Sequence, residues 1–153
     1  NWLTAKVRQL NNGESLESFG QGYIEERVSY LTGRGTLVPA KAFRELGIYN
    51  NEHYTQCGDT EFPVRARKAG YKLLVSYDVP VYSHMGHSVH REKYTLKSLK
   101  GYYFDIRSHV NIRERFWFAI DSTANILHGL WFFVLDFTRI TVHFIRRLEL
   151  RPR

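Results

Sequence analysis

Asp59 and Glu61 lie two positions apart in the stretch Thr55–Gly70, TQCGDTEFPVRARKAG, an acidic pair at the mouth of a basic amphipathic segment. An ionised carboxylate accepts a proton as a hydroxyl nucleophile attacks, and burial would raise its pKa toward the working pH. His84, His87 and His90 follow one another at intervals of three, and neutral imidazole is the commonest protein ligand for transition ions. Because Gly86 falls inside that run, no common face is fixed. The segment then supplies one ligand to a site completed elsewhere, or is a solvated polar loop. Gly33-Arg34-Gly35 is a third candidate: two glycines let backbone approach a ligand closely, or simply make a tight turn.

Elements must hold these residues in place. Gly58 permits a sharp turn into a helix, where Asp59 or Thr60 can cap free backbone amides and Glu61 meets the positive end of the helix dipole. Pro63 is tolerated in the first turn. Phe62, Ala66 and Ala69 make a narrow apolar face, Arg65, Arg67 and Lys68 point elsewhere, and Gly70 ends the helix. Upstream, a short helix is expected around Trp2–Leu10, then a strand, a turn and an extended piece over Val28–Pro39, then a helix over Ala40–Leu46. Downstream, YKLLVSYDVPVYSH reads as two strands split at Asp78–Pro80. Glu92–Glu114 reads as one helix carrying Arg107 near the histidine loop.

The last segment is aromatic-rich. Ile126, Leu130, Phe133, Phe137, Ile140 and Phe144 recur at helical spacing, widened by Leu127, Trp131 and Val134, and Asp136, Arg139, His143 and Arg146 form an opposing polar stripe. Such a helix packs on the domain or a partner helix, or lies in a membrane interface. The longest run free of Asp, Glu, Lys and Arg is Ser122–Leu135, fourteen residues, too short to span a bilayer, which takes about twenty. The chain of 153 residues carries a net charge of +7, of which +4 falls in Arg139–Arg153, five Arg against one Glu. That balance invites an acidic partner. The single Cys57 excludes an internal disulfide and suits a reducing compartment. The expected location is the cytoplasm, peripheral at the membrane's cytoplasmic face if the tail is interfacial. An Asn at position 1 and a single Met at 85 are expected of a piece of a longer protein.

The order of these motifs over Thr32–Ser88, 57 residues, resembles the second half of the catalytic domain of family 2 glycosyltransferases, which have the GT-A fold. A Gly-x-Gly strand, an AFRELG helix, an acidic motif, an RARKAGY helix and a strand ending in His follow in the family's order. The implied fold is α/β, a partial GT-A mixed sheet with flanking helices, followed by amphipathic C-terminal helices. The expected division is 1–114 for the acceptor-side half of the catalytic domain and 115–153 for the tail.

The resemblance implies transfer of a sugar from a nucleotide-diphosphate sugar to an acceptor hydroxyl with inversion, as in cell-wall or polysaccharide synthesis. The acceptor would be a glycan, a lipid-linked molecule or another hydroxyl compound. Asp59 falls on the family's general base. Gly58 stands where the family usually has another acid, and Glu61 replaces a second Asp, so Glu61 supports the base or meets the acceptor. Gly33, Arg34, Gly35, Gly58, Glu61 and Arg107 are the implied substrate-binding residues. His84, with His87 as second choice, matches a histidine that completes the site of a divalent cation, Mg2+ or Mn2+. That cation is otherwise held by residues outside this chain, because the family's metal-binding D-x-D comes earlier and Asp59-Thr60-Glu61 only has its outline. The expected fragment lacks the donor-binding half and does not turn over alone. Two other readings compete: a non-catalytic basic module for nucleic acid or an anionic membrane surface, and a degenerate transferase domain that serves in assembly. The terminal Arg cluster and the aromatics on apolar faces weigh against nucleic acid.

Overall fold

A computed structural model describes residues 4–5, 13–31, 33–82 and 94–148. The architecture is mixed α/β and mostly helical: among the described residues, five α-helices accompany one two-stranded antiparallel sheet. The chain forms two compact units. One comprises Val7–Asn50 and Gly58–Ser83 and carries the sheet; the other comprises Asn1–Lys6, Asn51–Cys57 and His84–Arg153 and is helical.

In the sheet-bearing unit, β1 (Ile24–Glu25) pairs with β2 (Val75–Ser76), with Ile24 opposite Ser76 and Glu25 opposite Val75. Side chains take over at one end of the ladder. Asp78 accepts the Gly22 N–H at 2.9 Å, and Phe19, Tyr23 and Tyr77 cluster their rings. Glu25 is buried, and both its oxygens accept from Arg27, at 2.9 and 2.7 Å. The strand expected within Val28–Pro39 does not form among the described residues. The chain instead turns at Gly33–Thr36, with Thr36 N–H donating to Gly33 O. Of the strand expected after Pro80, the described residues Val81 and Tyr82 are not in a strand and are exposed, Pro80 having no N–H to give a ladder, and the remainder lies outside the described residues.

The two helices of this unit form as their sequences dictate. α1 (Ala40–Leu46) starts after Pro39 and ends at Gly47, whose φ of 79° only glycine adopts readily. α2 (Gly58–Lys68) carries Pro63 as its sixth residue, beyond the first turn expected for it, where the missing N–H removes the helical donor to the Asp59 carbonyl, and it stops before Gly70, φ 93°, with Tyr71 N–H bonded to Ala66 O at 3.0 Å. Phe62 and Ala66 bury against Ala42, and the Phe43 ring lies 4.8 Å from that of Phe62. Ala69 is exposed, so the apolar face stops one turn short. Arg65 also departs from the expected solvent-facing position. Its guanidinium donates to the Leu46 carbonyl and, at 2.9 Å, to that of Ile48, satisfying acceptors left over where α1 ends.

The helical unit corrects the expected single helix over Glu92–Glu114. A 3-10 turn at Leu96–Ser98, closed by a reciprocal Thr95–Ser98 capping box, leads into α3 (Leu99–Phe104). The chain then breaks, because Ser108 and Asn111 offer the backbone alternative partners. Ser108 Oγ donates to Tyr102 O at 2.7 Å, Asn111 Nδ2 donates to Asp105 O at 3.0 Å, and the Asn111 carboxamide oxygen caps α4 (Ile112–Ser122). The division expected between residues 114 and 115 falls inside this helix. A turn capped by Asn125 starts α5 (Ile126–Arg147), so the tail is two helices. Gly129 lets them approach: a Cβ there would lie 3.0 Å from the Ile120 backbone.

Two apolar clusters hold this unit together. Tyr102, Tyr103, Val110, Ile140 and Phe144 form one, and Ala5, Ala119 and Phe132 the other. Asp136, expected on a polar outer stripe, is buried instead. It accepts from Arg115 at 2.6 Å and lies 3.7 Å from Arg139.

Candidate active site

Asp59 sits in the first turn of α2 with its side chain exposed. Its hydrogen bonds among the described residues do not cap α2. Oδ2 accepts the backbone N–H of Gly33 at 2.9 Å, and Oδ1 accepts the Thr60 hydroxyl at 3.3 Å. This joins two motifs that stand 26 residues apart in the sequence. A Cβ at Gly33 would lie 2.6 Å from Asp59 Oδ2 and 2.9 Å from Asp59 Cβ, so only glycine allows the contact. Gly35 serves the same turn differently: its φ is 71°, and a Cβ there would fall 2.6 Å from Val81 Cγ2. Of the two glycines of Gly33-Arg34-Gly35, Gly35 is therefore required by the backbone of the turn and Gly33 by the carboxylate that rests on it. Arg34 between them is exposed. Asp59 is not buried, and its carboxylate meets solvent.

Glu61, also in the first turn, has a different environment. It is 4% exposed, and its two oxygens accept from Arg65 Nε at 2.8 Å and Nη2 at 3.2 Å. The same guanidinium lies 5.0 Å from the centre of the Phe62 ring. Glu61 thus orients the side chain that fastens the end of α1, and its lone pairs are engaged inside the unit. Gly58 is the first residue of α2. Arg107 belongs to the helical unit. It lies exposed in the break between α3 and α4 rather than on a helix, with its N–H on Asp105 Oδ1 at 2.8 Å.

His84 and His87 lie outside the described residues. Among the described residues, no three His, Cys, Asp or Glu side chains gather in a group that suits a metal ion. These residues alone do not fit the expected divalent cation, and no chemical step is derived through it.

The residue most plainly missed by sequence reasoning is Glu114. Expected as the end of a helix, it is instead in the first turn of one, 4% exposed. Its carboxylate accepts three successive backbone N–H groups: Thr55 at 2.9 Å, Gln56 at 3.1 Å and Cys57 at 3.0 Å. These are the three residues preceding Gly58 and Asp59 in the chain. The same loop is held a second time through α4. Tyr54 donates to Asp121 at 2.7 Å, and His53 stacks on Trp117 with ring centres 3.7 Å apart. The spacing Asn111-x-x-Glu114 has the outline of a helix start, and that signal would have placed Glu114 at the head of α4.

The chain matches no family model, no curated protein and no solved structure.

Proposed function

We propose that this chain is the acceptor-side part of a sugar-nucleotide-dependent glycosyltransferase of the family 2 type, a partial GT-A domain in which Asp59 is the general base. The observation that carries the reading is the exposed Asp59 carboxylate, seated on the Gly33 N–H in a turn that admits no side chain at Gly33. A base must be fixed in direction and reachable by the hydroxyl it deprotonates. The Gly33 N–H occupies Oδ2, so Oδ1 takes the proton while the acceptor oxygen bonds to the anomeric carbon. The bond from that carbon to the nucleoside diphosphate breaks on the opposite side, and the configuration inverts. The Thr60 hydroxyl on Oδ1 turns aside when the acceptor arrives. Arg34 and Gly35 border this position and contact substrate, whereas Glu61 acts through Arg65 to hold the scaffold.

The nucleotide-sugar half of the site is supplied from outside this chain. Asp59→Asn in the complete transferase is expected to abolish transfer while donor binding, followed by calorimetry, stays within about twofold. Retained turnover would remove Asp59 from the base role.

A further inference from the structure

We infer that the outward face of α5 is a docking surface for an anionic lipid bilayer, a property independent of the transferase reading. Leu127, Leu130, Trp131, Val134, Val142 and Ile145 fall within one arc of the helix, and each is between 40% and 76% exposed. The opposite arc, with Phe132, Asp136, Ile140 and Phe144, is the one packed into the helical unit. The face runs about 27 Å along the helix at 1.5 Å per residue. No helix among the described residues is long and apolar enough to cross a membrane, so α5 lies along an interface rather than through it.

Charge selects the occupant. Residues 94–148 hold eight Lys and Arg against four Asp and Glu. Of the four acids, Glu114 and Asp136 are buried and Asp121 accepts the Tyr54 hydroxyl. The acid on α5 is Asp136 alone, whereas Arg146 and Arg147 end the helix exposed, Arg146 flanking the apolar arc and Arg147 with its guanidinium 5.8 Å from the centre of the Tyr94 ring toward the packed side. A second copy fits poorly against this face. Antiparallel pairing would bring Arg146 and Arg147 to the start of the partner helix, where the dipole is positive and Asn125–His128 holds no carboxylate. Parallel pairing would set Arg against Arg. Anionic headgroups accept those arginines while the acyl boundary takes the apolar arc, with Trp131 at the depth where indole rings prefer to sit.

The test is cosedimentation of the 153-residue chain with vesicles of phosphatidylcholine alone or mixed with phosphatidylglycerol. The expected result is binding to the mixed vesicles, weakening as salt rises, and little binding to the neutral ones. Trp131→Ser combined with Val134→Ser should weaken that binding at least about tenfold, with an unchanged far-UV circular dichroism spectrum. Arg146→Glu with Arg147→Glu should weaken it on anionic vesicles in low salt. The inference is overturned if the chain stays in the supernatant, or if the Trp131/Val134 variant binds as well as the parent. It is equally overturned if sedimentation equilibrium finds a dimer that the same variant abolishes.

Discussion

Gly33→Ala isolates the contact on which the active-site reading rests. Gly33 does not adopt a left-handed backbone, so alanine is conformationally acceptable there and any loss must come from contact. The new methyl would meet Asp59 Oδ2 at 2.6 Å and Asp59 Cβ at 2.9 Å. To escape, Asp59 rotates and gives up the Gly33 N–H, which for an exposed pair is worth about 1 kcal/mol. Relief of the remaining overlap with Asp59 Cβ adds about 1 kcal/mol, the lower end for overpacking because the side chain can move. The total of about 2 kcal/mol shifts a urea midpoint down by about 1 M. Asp59→Gly removes all three contacting atoms, and in that background Gly33→Ala should reverse sign and stabilise by about 0.4–1 kcal/mol through the unfolded chain. Gly35→Ala is the control: its φ of 71° and its closeness to Val81 make it costly whichever residue stands at 59. If Gly33→Ala costs the same with and without the Asp59 side chain, the close approach is not what glycine at 33 is for. In the complete transferase the same substitution, by displacing the carboxylate about 1 Å, should lower kcat by about 100-fold.

Two further perturbations follow from buried carboxylates. Glu114→Gln leaves the three amides of Thr55–Cys57 with a neutral acceptor that has a single carbonyl oxygen, and should cost about 1–3 kcal/mol in urea denaturation; an unchanged midpoint would mean that the loop is held by Tyr54 and His53 instead. Glu25 is held at about 2, below its ordinary value of 4.5, chiefly by the Arg27 side-chain hydrogen bond. A depressed carboxylate contributes stability that is present above 4.5 and is lost as pH falls toward 2. The stability gap between the parent chain and Glu25→Gln should therefore narrow between pH 4.5 and 2, and a gap that stays constant across that range would refute the pairing.

Local sequence is strong where one helix's punctuation suffices. Pro39 and Gly47 bound α1, and Gly58 and Gly70 bound α2, because proline's missing N–H and glycine's backbone freedom act over a few residues whatever surrounds them. The break within Glu92–Glu114 was not legible. The segment's apolar spacing is genuine, but Ser108 and Asn111 break the backbone by hydrogen bonding to Tyr102 and Asp105. Strands fared worse than helices, since a strand needs a partner and the described residues of the β-rich segments at 28–39 and 79–82 are not part of the two-stranded sheet.

On the site, the sequence by itself determined that a carboxylate would stand at the head of a short basic helix, with a glycine-bounded turn elsewhere in the chain. Only the tertiary structure decided that Gly33 and Asp59 touch, that Glu61 turns inward to Arg65, and that Glu114 gathers the amides before Asp59. It also decided which arc of α5 is packed and which is exposed. Glu61 and Arg65 stand four apart on one helix, a spacing that lets them meet, and what the tertiary structure adds there is the burial of the pair; the other three share one physical reason. Helix starts and stops depend on neighbours in the chain, whereas the partner of a side chain depends on which distant backbone folding brings within 3 Å, and no spacing rule encodes that distance.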